Sequence, residues 1–441
     1  MIRLSIPVIL AELGWMAMGL VDTAMVGGLG PEAIGAVGIG SNIHFAVAIF
    51  GFGLLLGLDT IVSQAFGAGR LVDGRRSLIQ GLYLSALVTA PLMALQFAIA
   101  SRLGDLGLSP GVVPLAAPYL RAMAWGTFPL LLLTTFRRYL QAVNAVRPIL
   151  IALISANLIN WLGNWLLIRG RLDFPMMGVE GSGWSTTIAR VYMAAVLIVA
   201  AVVRERADRQ AFWRVPLGFD PRRFGTLVRL GLPAAIHITL EIGVFALATM
   251  LAGQLSAASL ASHQVAINIA GLTFMIPLGI SSAGTVRVGH AVGGSDPPRA
   301  TAAGWAAIGL GVGAMAVCGV ILICIPRAIA SAFTDDPETI AIATRLLRVA
   351  ACFQLFDGLQ VVTTGVLRGA GDTRTAMIAG LVAHWGIGLP IGAWLGLSRG
   401  WGVVGLWIGL SAGLIAAAFF VLGAWMRMVW RLSPRPPGEA R

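Results

Sequence analysis

Five carboxylates stand inside long apolar runs of this chain: Glu12, Asp22, Asp59, Glu241 and Asp357. An acid at the centre of a membrane-crossing helix costs about 2.5–3.5 kcal/mol even on insertion-derived scales, so each needs a chemical reason. Asp22 has the most company. The stretch SANLINWLGNW carries Asn157, Asn160 and Asn164 at i, i+3 and i+7, on one helix face, and Asn160 and Asn164 lie at a depth similar to that of Asp22. Thr186, early in the following apolar run, reaches the same level. One carboxylate, two amide carbonyls and a hydroxyl are hard oxygen ligands, suited to an alkali or alkaline-earth cation over a soft metal, and the acid could equally hold a proton. The alternative for the Asn face is hydrogen bonding to neighbouring helices, which membrane bundles also use.

Glu241 and Asp357 make a second candidate pair. Glu241 is twelve residues from Arg229, while Asp357 is nine from Arg348 and eleven from Arg368, so both are expected near the bilayer midplane. Two close carboxylates push one pKa upward and can share a proton; they could also hold a cation between them. No Arg is expected at their depth, which argues against a purely structural ion pair. Glu12, toward the cytoplasmic third of its run, is a weaker candidate for the same work. Asp59, near the end of its run, is as readily a solvated or helix-pairing carboxylate as a working one.

Such groups must be held by helices that cross a bilayer. Of the 441 residues, 57% are apolar and only 11% charged, against about 25% charged in a soluble domain. Twelve apolar runs have the length of spans, near 5–27, 33–66, 78–101, 117–140, 147–168, 181–202, 230–253, 259–286, 302–325, 340–366, 375–397 and 402–426. The fold class expected is therefore an all-α integral membrane protein. All 31 basic residues are Arg. With the N-terminus in the cytoplasm, 22 Arg fall on inside segments and five on outside loops, so both termini are expected to be cytoplasmic. Arg121, Arg190, Arg345 and Arg348 remain within spans, toward their outer ends. The opening MIRLSIPVIL reads as the start of the first span and not as a removable signal.

The chain repeats itself. A shift of 226 residues aligns 2–70 with 228–296 without a gap, pairing Arg3 with Arg229, Pro7 with Pro233 and VSQAFGAG with VGHAVGGS. Further on, LQAVNAVRP (140–148) matches LRGAGDTRT (367–375), and GVEG (178–181) matches GVVG (402–405). Six spans per copy make both halves enter the membrane the same way round, a parallel repeat whose substrate path lies between the halves. The expected organisation is an N-lobe over 1–203, a cytoplasmic linker over 204–228 containing RERADRQAFWRVPLGFDPRRFG, and a C-lobe over 229–441.

Other chemistries lack support. Cys318, Cys324 and Cys352 show no metal-ligand or disulfide spacing. His44, His237, His263, His290 and His384 show no ligand motif and are expected to be packed or helix-bridging. No nucleophile–base pair, P-loop or dinucleotide fingerprint is present, so no enzyme and no cofactor is expected. The net charge of +12 reads as topology-setting Arg in short loops, not as a nucleic-acid surface. GRLVDGRR (69–76) is similar to a loop of the major facilitator superfamily, but its Gly is displaced and the matched loop GGSDPPRA lacks the pattern.

PVILAELGWMAMGLVDTAMVGGLG, LDTIVSQAFGAGR, LEIGVFALATMLAG, ASHQVAINIAGLTFMIPLGISSAGTVRVGHAVGG and QVVTTGVLRGAGDTRT together resemble the multidrug and toxic compound extrusion (MATE) family, and within it the NorM-like branch. The resemblance covers nearly the whole chain. It implies twelve transmembrane helices in two pseudo-symmetric six-helix bundles arranged as a V, in the inner membrane of a bacterium. It further implies a monomer that exports organic cations or amphiphiles in exchange for Na⁺ or H⁺ by alternating access. By motif, Asp22 resembles the family's span-one acid, Asn160, Asn164 and Thr186 its N-lobe cation ligands, and Glu241 and Asp357 the acids of the C-lobe. Na⁺ is thus expected at either set. Some relatives place an Asp where this chain has Asn164, which leaves the N-lobe set one formal carboxylate instead of two. A lipid or lipid-linked oligosaccharide flippase of the same superfamily is the alternative; it would be expected to carry basic groups in its cavity. A receptor without transport would not need acids at matched depths in both halves.

Overall fold

The structure, a computed structural model, describes residues 1–207 and 217–432. Among them no residue lies in a β-strand. The first half comprises α1 (Ile2–Gly27), α2 (Pro31–Leu55), α3 (Gly57–Gly67), α4 (Leu71–Ser101), α5 (Val113–Trp125), α6 (Thr127–Ala142), α7 (Arg147–Leu167) and α8 (Gly178–Ala207). The second comprises α9 (Pro221–Leu255), α10 (Ala257–Gly293), α11 (Pro297–Cys324), α12 (Pro326–Ser331), α13 (Pro337–Ala370), α14 (Arg374–Gly380), α15 (Leu389–Ala393) and α16 (Gly402–Leu432). Two π-helical stretches, Leu381–Gly388 and Trp394–Ser398, make α14, α15 and their neighbours one continuous rod.

Among the described residues eleven spans, with α2–α3 and the rod Arg374–Ser398 counted once each, are long and apolar enough to cross a membrane. The expected single span over 117–140 is instead two shorter helices, α5 and α6, interrupted at Gly126. Pro129 supplies the reason: it has no N–H to give the Trp125 carbonyl, and its ring crowds that carbonyl. The expected span over 33–66 is likewise interrupted, at Leu56.

The linker is shorter than the sequence implies. Helix α8 continues through 204–207 and α9 already begins at Pro221, while 208–216 lie outside the described residues. From Leu217 the chain follows α4. Tyr83 Oη donates to the Leu217 carbonyl at 2.7 Å, Gln80 Nε2 to the Gly218 carbonyl at 3.1 Å, and Arg223 Nη2 meets Asp73 Oδ1 at 2.6 Å. Asp220 accepts the backbone N–H groups of Arg222 and Arg223 at 3.0 and 3.2 Å, a carboxylate cap on the first turn of α9. Those amide bonds, that of Arg223 foremost, hold its carboxyl below the usual range.

The sequence repeat is present in the backbone. Left-handed residues occur in register: Gly69 (φ 71°) with Ser295 (φ 55°), Asn144 (φ 61°) with Gly371 (φ 97°), and Gly178 (φ 56°) with Gly402 (φ 60°). The turn geometry is kept even where glycine is not, and Asn is the residue that tolerates this region best after glycine.

By compactness the chain divides into two units. One holds Leu10–Phe66 and Arg70–Ala235; the other holds Met1–Ile9, Gly67–Gly69 and Ile236–Arg441. The first turns of α1 therefore pack with the C-terminal unit, and those of α9 with the N-terminal unit. Glycines make both seats. A Cβ on Gly279 would lie 2.5 Å from Ile9 Cγ1, and one on Gly53 would lie 2.4 Å from Ala235 Cα. Glycine pairs also bring helix backbones together where α16 meets the rod, Gly409 against Gly392 and Gly413 against Gly388. The side chains turned away from each unit's core are apolar as well: Leu20, Ile154, Leu158, Met250 and Phe419 are all more than half exposed, as a hydrocarbon surrounding permits.

Candidate functional site

In the N-terminal unit α1, α7 and α8 bring together the four residues singled out in the sequence. Asp22 Oδ1 accepts from Asn160 Nδ2 at 2.9 Å and from Asn164 Nδ2 at 2.7 Å, and its Oδ2 accepts from Thr186 Oγ1 at 2.6 Å. Asp22 and Thr186 are nearly inaccessible, and Asn160 and Asn164 entirely so. All three neighbours turn donors toward the carboxylate, the arrangement that solvates a negative charge where no water reaches it. The oxygens a hard cation would need belong to the same side chains. Asn164 Oδ1 is buried without a hydrogen-bond partner, and a half-turn of its amide presents it to the acid's side. Asn157 does not join them. Its amide donates instead to the carbonyls of Gly14 and Leu153 at 3.1 and 3.0 Å, binding α1 to α7.

In the C-terminal unit Glu241 of α9 and Asp357 of α13 fall within electrostatic reach of each other, and Gln360 stands beside the Glu241 carboxyl. His237, one turn before Glu241, places Nε2 3.9 Å from Oε2. Trp385 on the π-helical stretch donates Nε1 to the Leu240 carbonyl at 3.0 Å, which holds the rod against α9 beside the acid. Gln360 and His237 were not anticipated, although their spacings, i+3 from Asp357 and i−4 from Glu241, mark them as helix-face neighbours.

Glu12 and Asp59 fare differently. Glu12 is ion-paired with Arg137, and Asp59 Oδ2 lies 3.5 Å from Arg138 Nη1. Neither acid is solvated: both are buried with their partners. Arg137 and Arg138 are among the 22 Arg counted on inside segments as topology signals; α6 instead carries them buried inside the unit. Arg75, another of that set, is buried on α4 and pairs with Glu205, whose carboxyl takes a hydrogen bond from the Tyr139 hydroxyl as well. A charge ends an apolar run when residues are counted, so buried arginines are assigned to loops unless their partner acids are known.

Arg190 is buried as well. Expected near the outer end of its span, it is 5% exposed and sits one turn beyond Thr186 on α8. Its Nη1 lies 2.8 Å from His44 Nε2, and His44 Nδ1 lies 2.7 Å from Gln96 Oε1. His44 thus bridges helices, as does His263, between Thr249 and Trp407.

Comparison with known proteins agrees with this architecture. The MatE family profile matches residues 7–166 and again 233–394, the two copies starting 226 residues apart. A probable multidrug resistance protein NorM of Mesorhizobium japonicum is 37% identical over 437 residues, covering 97% of this chain and 93% of that protein. A probable multidrug resistance protein NorM of Burkholderia pseudomallei is 37% identical over 441 residues, covering 97% and 91%. Among solved structures, a eukaryotic MATE transporter, AtDTX14, superposes with a TM-score of 0.87 at 20% identity, over 97% of this chain and 96% of that one. A MOP superfamily transporter from Pyrococcus furiosus superposes with 0.89 at 20% identity, over 98% and 96%. With both copies of the profile present in order and relatives this similar along almost its whole length, the chain belongs to the MatE family, in its NorM-like branch.

Proposed function

We propose that the protein is a secondary multidrug antiporter, exporting cationic or amphipathic small molecules in exchange for Na⁺ or H⁺ by alternating access. One observation carries this reading. Among the described acids buried within spans, Glu12 and Asp59 have an arginine at ion-pair distance, whereas Asp22 and Asp357 have none. Glu241, only 16% exposed, likewise has no arginine. A carboxylate kept in a membrane with no arginine in contact is suited to a partner that comes and goes, a proton or a cation. Cationic substrates fit the same acids, and the multidrug resistance names of the NorM relatives support that substrate class. A flippase for phosphate-linked lipids would instead require free basic groups; the buried Arg75, Arg137 and Arg138 are held by acids, and the buried Arg190 is engaged by His44. The relatives being bacterial, we place the protein in the inner membrane as a monomer with both termini in the cytoplasm.

The test is export of a fluorescent cationic dye from vesicles carrying the protein, under separately imposed Na⁺ and pH gradients. Export driven by either gradient supports the reading. Dye movement indifferent to both would overturn it.

A further inference from the structure

The interruption between α5 and α6 opens a space that Arg190 fills. A Cβ on Gly126 would lie 3.0 Å from Arg190 Nη1 and 2.7 Å from Thr187 Oγ1, so the glycine and the break together admit the guanidinium. A cation in the dry core of a helix bundle is expensive, and it normally stands against a carboxylate. No described carboxylate lies at ion-pair distance from Arg190, and its Nε is buried without a hydrogen-bond partner. Its contact is His44, and the hydrogen bonds fix what that histidine is. The guanidinium can only donate, so His44 Nε2 accepts and Nδ1 carries the ring proton, which it gives to Gln96 Oε1, while Gln96 Nε2 faces Thr127 Oγ1 at 3.1 Å. A neutral imidazole oriented in this way holds the guanidinium in place without cancelling its charge.

The link from Arg190 to a negative charge runs through the residue one turn back along α8. Thr186 donates to Asp22, and Thr186 and Arg190 lie four residues apart on the same helix face. The groups around the pair are named by element: Asp22 on α1, His44 on α2, Gln96 on α4, Tyr119 on α5, whose hydroxyl meets Ser41 at 2.9 Å, Thr127 on α6, and Asn160 and Asn164 on α7. Asp22 is the one carboxylate among them, and it interacts electrostatically with Arg190.

We infer that Arg190 is the fixed counter-charge of the Asp22 site and sets how loosely that site holds its coupling ion. With the site empty, the carboxylate and guanidinium together are neutral. With H⁺ or Na⁺ bound, the same region carries one net positive charge, and repulsion from Arg190 favours release. Without Arg190 the empty site would carry a bare negative charge and hold its ion about tenfold or more tightly, the scale of one charge felt through a protein interior of effective dielectric about 20. A site that must discharge its ion in every cycle gains speed from this loosening. The inference rests on the antiport reading and deepens it.

The experiment uses full-length protein in proteoliposomes, measuring export of a cationic dye against Na⁺ concentration and separately against pH. Arg190→Gln removes the charge, and Arg190→Lys keeps the charge while altering the contact with His44. The expected result is that R190Q lowers the ion concentration for half-maximal export about tenfold, whereas R190K restores the wild-type ion dependence whatever its maximal rate. Equal shifts in R190Q and R190K, or no shift in R190Q, would each overturn the assignment. A melting-temperature series in detergent asks the same question without transport: D22N is expected to lower the melting temperature, and D22N/R190Q to recover it. Failure to recover overturns the charge pairing. A wild-type protein indifferent to both ions would instead overturn the antiport reading, leaving the melting series to decide the pair.

Discussion

Arg137 of α6 is ion-paired with Glu12 of α1 in the interior of the N-terminal unit, and one residue on, Arg138 faces Asp59 at 3.5 Å. Arg75 and Glu205 complete three buried pairs in that unit. The C-terminal unit has no equivalent at the matching positions. Where the repeat aligns Thr285 with Asp59 and Gly365 with Arg138, Thr285 Oγ1 simply donates to the Gly365 carbonyl at 2.7 Å. The same helix contact is thus made by an ion pair in one half and by a backbone hydrogen bond in the other. These acids are occupied by structure, which separates them from the acids proposed to work.

Breaking one of these pairs is therefore expected to cost stability and not coupling. Arg137→Met strands the Glu12 carboxylate and is expected to destabilise by about 3–5 kcal/mol, while Glu12→Leu with Arg137→Met recovers most of the loss. Thermal unfolding of purified protein in detergent checks both. A loss of ion-driven export by the double variant at wild-type stability would return Glu12 to the transport path.

Asp22→Asn is expected to abolish ion-driven export while the protein still reaches the membrane. An amide cannot accept three donors as the carboxylate does, and it cannot bind a proton or neutralise a cation. Asn164→Ala, which removes one donor and one potential oxygen ligand, is expected to weaken the ion dependence severalfold without ending export. Dye export at matched expression reads both, and normal gradient-driven export by D22N would remove Asp22 from the mechanism.

Glu241→Gln and Asp357→Asn are each expected to reduce export by more than tenfold, and the double variant by little more than either. Acids that share one ion act as a unit, and groups that act as a unit are not additive. If Glu241 only bound Gln360 and its helix neighbours, Gln would keep those hydrogen bonds and export would be near normal. The double-variant cycle, measured by initial rates of dye export, decides between these.

At the helix seats, Gly53→Ala and Gly279→Ala are each expected to destabilise by about 1–3 kcal/mol, since the added methyl overlaps the Ala235 backbone or Ile9. Gly19→Ala is the control. Nothing lies within 4 Å of its Cβ, and it should be neutral or slightly stabilising because alanine is the better helix residue. Melting temperatures of the three variants should separate the seats from the control.

What could be read from the residues alone was what depends on neighbours in sequence. Apolar run length foretold most of the spans because a bilayer asks the same of every helix. The turns at Asn144 and Gly371, or Gly178 and Gly402, could be aligned because a left-handed residue is a local requirement. The Asn160–Asn164 face pointed to Asp22 because i, i+4 spacing is fixed by the helix itself. The interruption at Gly126 was present in the sequence as Pro129, though a count of apolar residues passes over a missing N–H. Only the tertiary structure decided which charges are spent. Arg137 lies 125 residues from Glu12, and Arg190 lies 146 from His44, so no local pattern reports either contact. An arginine in a loop and an arginine in a dry core look alike in sequence. The cost of burying a charge is met by a partner brought in through space, and that partner is known only once the helices are packed.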